Sequence, residues 1–195
     1  MSADQSDLFA PSGPEGLHYR ADFISGPDER VLIAELGALE FPRFEMRGVV
    51  AKRRVAFFGE SYGREAAAEI PTFLHPLRAK LAAWAEVDPA AFAMALVNEY
   101  EQGSPIGWHR DAPQYGIVAG VSLLSACRMK FRPYVKPAEV RAQRTHRRAT
   151  HELALPPRSA YLLTGPARTD FEHHIPPVAA LRYSITFRTL RTPRS

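Results

Sequence analysis

Residues 181 to 190 read LRYSITFRTL. The even positions Arg182, Ser184, Thr186 and Arg188 are polar, and Tyr183, Ile185 and Phe187 between them are apolar. Side chains on an extended backbone alternate between faces, so this pattern predicts a strand with one apolar face and one polar face carrying two guanidiniums. Upstream, short runs of similar character follow one another between turn residues: AMALVNEY (93–100), GIVAGVSLL (116–124), SACRMKF (125–131), THELALP (150–156) and SAYLLTG (159–165). Short strands at near-regular spacing predict a sandwich or jelly roll over residues 93–191.

The N-terminal third differs. Residues 1–16 are polar and rich in Ser, Asp, Pro and Gly, which predicts a disordered tail. GLHYRADFI (16–24) reads as a strand, and SGPDERVLIAELGAL (25–39) as a helix capped by Ser25 or Gly26, with Pro27 in its first turn and an end near Gly37. PTFLHPLRAKLAAWAEV (71–87) places Leu77, Leu81 and Trp84 at helical spacing, as core-facing residues. The expectation is one α+β domain over residues 17–195, with a helical and mixed N-terminal part packed on an all-β remainder.

At 195 residues the chain suits one domain with a substantial core. No apolar run approaches the roughly 20 residues of a membrane span, and no secretory leader is legible, so no membrane role is expected. A single cysteine, Cys127, excludes an internal disulfide and points to a cytoplasmic protein, with that residue buried in a strand. The formal charge of +4 leans weakly toward an anionic partner.

GWHRDAP (107–113) sets His109 and Asp111 two residues apart, which on an extended backbone places both on one face. EHHIPP (172–177) supplies His173 and His174 ahead of a final strand able to lie beside the first. Two imidazoles and one carboxylate on one side of a metal, with the other side open, suit non-haem iron(II) oxygenases. Closed structural zinc is disfavoured because four Cys or His ligands are normally needed and only one cysteine exists. A hydrolytic site has no evident use for Arg182 and Arg188, whereas two guanidinium forks beside a metal match the two carboxylates of 2-oxoglutarate.

With NEY (98–100), HRD (109–111), HHI (173–175) and RYSITFR (182–188) in this order, the chain resembles the AlkB-type family of Fe(II)/2-oxoglutarate-dependent dioxygenases. The resemblance implies a double-stranded β-helix, or jelly roll, with helices and a substrate lid from the N-terminal third. It implies oxidative demethylation of alkylated nucleic acid, releasing formaldehyde and succinate and consuming O2. By that similarity His109, Asp111 and His173 are the iron ligands, with His174 as the alternative to His173. Asn98 and Tyr100 would hydrogen-bond 2-oxoglutarate, Arg182 would pair with its distal carboxylate, Arg188 with the iron-proximal one, and Ser184 would assist. Trp108 would point away from the metal into packing.

Two regions bear on the substrate. Residues 41–62 interleave cations such as Arg54 with Phe57, Phe58 and Tyr62, a composition that stacks bases and pairs phosphates, and they resemble in position the family's nucleotide-recognition lid. The run from Arg128 to Arg148, including Arg144, Arg147 and Arg148, holds one acid, Glu139, and reads as a phosphate-binding stretch. Where repair members of the family commonly carry a carboxylate, two residues after the metal-binding aspartate, this sequence has Pro113. A monomer acting on a single-stranded or flipped base is the expectation. A protein or small-molecule hydroxylase with the same centre, and a non-catalytic nucleic-acid-binding module, are the alternatives.

Overall fold

The strand of alternating residues predicted at 181–190 forms β11 (Arg182–Leu190) at the centre of a seven-stranded sheet. A computed structural model describes residues 13–41, 43–46, 49–60, 68–136 and 149–191, with the backbone alone at 43–46 and 49–52. The large sheet also contains β1 (Leu17–Arg20), β2 (Arg43–Met46), β3 (Val49–Gly59), β4 (Met94–Tyr100), β6 (Tyr115–Leu123) and β9 (Ala160–Leu163). Their order is β1-β9-β6-β11-β4-β3-β2, with every pair antiparallel. A second sheet of order β5-β10-β7-β8 comprises β5 (Ile106–His109), β7 (Cys127–Pro133), β8 (His151–Leu155) and β10 (Phe171–Ile175).

Alternation along the central strands builds two cores. Val97 from β4, Tyr183, Ile185 and Phe187 from β11, and Val121 and Leu123 from β6 face the helices α1 (Gly26–Gly37) and α2 (His75–Trp84). There they meet Leu32 and Leu36 of α1 and Leu77, Leu81 and Ala82 of α2. Each such buried aliphatic side chain is worth roughly 1.5–3 kcal/mol relative to exposure. On the other face Tyr100, Val118, Tyr161 and Leu163 join Cys127, Met129, Phe131, Leu153, Leu155 and Ile175 of the small sheet. The layers are therefore helices, large sheet and small sheet, the α+β double-stranded β-helix expected, and Cys127 is buried on its strand as read.

Local details follow from residue chemistry. Ser25 caps α1 in a capping box with Asp28, so the serine rather than Gly26 ends the preceding loop. The second helix begins only at His75, after a 3-10 turn over Thr72–Leu74, with Pro76 in its first turn where a missing N–H is harmless. The first strand stops at Arg20, ahead of Asp22, which has a positive φ of 45°.

Two expectations are corrected here. The tail boundary falls earlier than Gly16, because the backbone carbonyls of Glu15 and Gly16 accept hydrogen bonds from Ala167 and Thr164. The final strand, β11, pairs with β4 and β6 and not with the strand carrying His109; the histidine pair lies on a strand of its own, β10, antiparallel to β5 with His173 opposite His109. Residues 1–12, Tyr62, Arg144, Arg147 and Arg148 lie outside the described residues.

Candidate active site

Three backbone registers set out a cavity of about 540 Å³ between the two sheets. Across β4 and β11, Tyr100 faces Arg182, Asn98 faces Ser184, Leu96 faces Thr186 and Met94 faces Arg188. Across β3 and β4, Arg53 faces Tyr100 and Val55 faces Asn98. Across β5 and β10, His109 faces His173. The two-residue period of each strand carries all these side chains to the same space.

On the small-sheet side the His109 and His173 rings lie 4.2 Å apart between centroids, and His173 Nε2 is 3.7 Å from Asp111 Oδ2. Nδ1 of His109 is 2.8 Å from the Gly107 carbonyl oxygen, which only accepts. The neutral ring therefore carries its proton on Nδ1 and its lone pair on Nε2, the form a metal requires. Burial, then the adjacent His109, push His173 down to about 3 despite Asp111. Burial likewise lowers His109. Burial alone would raise the Asp111 carboxyl, but Arg188, then His173 and His109, hold it well below the usual carboxylate range.

Two neutral imidazoles and an ionised carboxylate are an N,N,O donor set suited to iron(II). Among the described residues no three His, Cys, Asp or Glu side chains stand closed around a common point. Arg188 Nε and Nη2 donate to Asp111 Oδ1 at 2.9 and 2.7 Å, and Asp111 Oδ2 is the oxygen facing His173. Arg188 was expected on the iron-proximal carboxylate of 2-oxoglutarate. In the structure its fork grips the aspartate, and its Nη1 donates to Thr186 Oγ1 at 3.0 Å.

His174 points elsewhere. Its Nδ1 donates to the Ile106 carbonyl at 2.6 Å and its ring stacks on Trp108, 5.0 Å between centroids. The Arg132 guanidinium lies 4.2 Å from the Trp108 ring centre. Trp108 therefore sits on the face away from Asp111, as alternation predicted, and of the two neighbouring histidines His173 is the one beside that carboxylate.

At the other end Arg182 is only 1% exposed. Its Nε donates to Ser122 Oγ at 3.2 Å, its guanidinium carbon is 5.1 Å from the Tyr100 ring centre, and its Nη1 has no hydrogen-bond partner among the described residues. A buried guanidinium without an acid is costly, several kcal/mol in the absence of a compensating charge. A carboxylate-bearing ligand fits that need.

The lid residues divide by parity. Arg54 faces away from the cavity, where its Nε donates to Glu99 Oε1 at 2.7 Å and Tyr183 donates to the other Glu99 oxygen at 3.1 Å. Phe58 packs on the helix-side core. Neither is placed for the substrate contact expected of it, because both have the parity of the apolar face. Phe57 lines the cavity with Met94, Leu96 and Tyr115, and so does Arg53, which sequence reasoning does not single out as a site residue. Arg53 Nη1 donates to Asn98 Oδ1 at 2.8 Å, an orientation that turns the Asn98 amide N–H groups the other way. Tyr161 is likewise missed by sequence reasoning. It reaches the cavity over Gly120, its register partner, and its signal is the glycine that makes room for the ring.

Residues 51–188 match the model of the 2OG-Fe(II) oxygenase superfamily. A curated relative, the "Alkylated DNA repair protein ALKBH8 homolog" of Arabidopsis thaliana, is 29% identical over 196 residues. That alignment covers 90% of this chain and 54% of the relative, so the chain spans about half the relative's length. The solved structure of OsALKBH1 superposes with a TM-score of 0.63 at 14% identity, covering 89% of this chain and 98% of that one, a likeness of fold.

Proposed function

Because the chain belongs to the 2OG-Fe(II) oxygenase superfamily, we propose that it is a 2-oxoglutarate-dependent dioxygenase that oxidatively demethylates alkylated nucleic acid. One observation carries this reading: two imidazoles and an ionised aspartate line a cavity, and on the same strand face as its Ser184 and Arg188 stands the buried Arg182, with no acidic partner among the described residues. Nε2 of His109, Asp111 and His173 would hold Fe(II). That ion, with O2, supplies the oxidising power. Arg182 would pair with the distal carboxylate of 2-oxoglutarate, and Asn98, Tyr100 and Ser184 would orient the cosubstrate from the adjoining registers. The apolar wall of Phe57, Met94 and Leu96 limits water around the target group.

The overall conversion couples 2-oxoglutarate and O2 to succinate, CO2 and a hydroxylated N-methyl group, which sheds formaldehyde to leave N–H. Support for a nucleic-acid target comes from the cation Arg53 on the cavity wall, from the basic run ending at Arg148, and from the relative named for alkylated DNA. Pro113, in place of a carboxylate, leaves the base to be identified by assay.

Two experiments test the reading. Anaerobic addition of Fe(II) and 2-oxoglutarate should produce the visible charge-transfer absorption of the chelate. Methylated single-stranded oligonucleotides should then stimulate succinate formation under air. If a peptide or metabolite stimulates turnover and no oligonucleotide does, the nucleic-acid assignment is lost and a hydroxylase of the other class replaces it.

A further inference from the structure

Two arginines that the cavity chemistry does not use lie between the segments carrying the three proposed ligands. Arg168 belongs to the short helix α3 (Gly165–Thr169), which leads directly into β10 and His173. It is 5% exposed, and its Nη2 donates to the carbonyls of Ala112 and Tyr115 at 2.5 and 2.9 Å. Those carbonyls belong to the turn that immediately follows Asp111, closed by the Tyr115 N–H on Ala112 O at 3.1 Å. In the reverse direction Arg110, between His109 and Asp111, donates from Nη1 to the Thr169 carbonyl at 2.9 Å. Its guanidinium carbon is 3.4 Å from the Tyr134 ring centre, and the Tyr134 N–H bonds Asp170 O at 2.7 Å.

From this reciprocal pair of guanidinium bridges we infer that Arg168, assisted by Arg110, is a positioning residue that fixes the separation of His173 from His109 and Asp111 and so sets metal affinity. The inference rests on the metal-centre reading above. The physical case is one of connectivity. β5 and β10 are bonded through the His173–His109 pair, but the register shifts between His173 and Ile175, and Asp111 lies beyond the end of β5. Pairing between β5 and β10 therefore stops short of the Asp111 turn, which is anchored to the large sheet by the Arg191 N–H on Gln114 O at 2.8 Å and by Arg188 on Asp111. Arg168 ties that turn to the β10 side through two charge-assisted bonds to carbonyls, both from its buried Nη2. Partners that orient ligands in this way typically change metal affinity by roughly 10–100-fold when removed.

The test is titration of the full chain, anaerobically, with Co(II) as a spectroscopic probe and Mn(II) as a second metal. Wild type, Arg168→Ala, Arg168→Lys and Leu155→Ala are compared, the last being a core variant in the small sheet that lowers stability without touching the turn. Arg168→Ala is expected to weaken Co(II) binding at least tenfold and alter the visible d–d bands while far-UV circular dichroism is retained. Arg168→Lys should fall between it and wild type. Leu155→Ala should bind as wild type once folded. Unchanged affinity and bands in Arg168→Ala would overturn the inference while leaving the metal-centre reading intact, and if the alanine chain does not fold, wild-type behaviour in Arg168→Lys does the same. If wild type itself binds neither metal, the reading and the inference fall together.

Discussion

The guanidinium of Arg182 lies 5.1 Å from the ring centre of Tyr100, its direct partner in the β11–β4 register. The contact places a buried cation over an aromatic face while one nitrogen remains without a hydrogen bond among the described residues. Arg182→Ala is therefore expected to weaken 2-oxoglutarate binding by about 2–5 kcal/mol, the range for truncating one side of a desolvated charge pair. Loss of the charge-transfer band at cosubstrate concentrations that saturate wild type would show it. Normal affinity in the variant would remove Arg182 from the site.

Arg53 and Arg54 are adjacent yet do different things, and their variants should separate cleanly. Arg53→Ala frees the Asn98 amide and should raise the 2-oxoglutarate Kd with little change in melting temperature. Arg54→Ala leaves the buried Glu99 carboxylate held by Tyr183, so it should lower stability by more than the roughly 0–1 kcal/mol of a fully exposed pair. Its cosubstrate affinity should stay at the wild-type value. Equal effects of the two variants on cosubstrate binding would contradict the parity of β3.

That pair also shows what residue order can and cannot reveal. On β11 polar and apolar types alternate, so the face carrying Arg182, Ser184 and Arg188 is legible from residue type alone. On β3 the doublets Arg53-Arg54 and Phe57-Phe58 put the same type on both faces, and composition alone gives no contrast from which to choose. The Asp111–Arg188 contact is not legible either, because it joins residues 77 apart from different parts of the fold. Arg168 lies on a five-residue helix with no period to read, and its partners are backbone carbonyls, which leave no trace in side-chain type. Helix α1 is legible nearly to the residue, since Ser25, Pro27 and Asp28 act locally.

Gly120 makes a separate prediction. A methyl group there would collide with Tyr161 Cζ and stand 2.6 Å from its hydroxyl oxygen, and Tyr161 is 5% exposed. Gly120→Ala should therefore cost about 1–3 kcal/mol as overpacking and displace the ring from the cavity. Adding Tyr161→Leu should recover part of that loss, a coupling visible in a double-mutant cycle of denaturant midpoints. Strict additivity would mean that the ring has room to move.

Cys127 reports on the small-sheet core. Burial raises its thiol above the ordinary 9.0, with Arg182 opposing. A raised folded pKa means that the thiol's contribution to stability is complete below about pH 9 and is lost as pH climbs through the higher folded value. The stability difference between wild type and Cys127→Ala should accordingly shift against wild type as pH rises above about 9. Below that window a disulfide reagent should react with the native thiol far more slowly than with the urea-unfolded chain. Fast labelling of the native protein at neutral pH would place the thiol at the surface.

Strand β11 serves two layers at once, carrying Arg182, Ser184 and Arg188 on the face turned to the small sheet and Tyr183, Ile185 and Phe187 on the face turned to the helices. A one-residue insertion or deletion within it would exchange these roles, lodging guanidiniums among the leucines of α1 and α2 and aromatic rings on the cavity face. Such a slip yields no folded but idle enzyme. The ability to fold and the shape of the site are thus written into the same nine residues, and a slip in this strand would cost both at once.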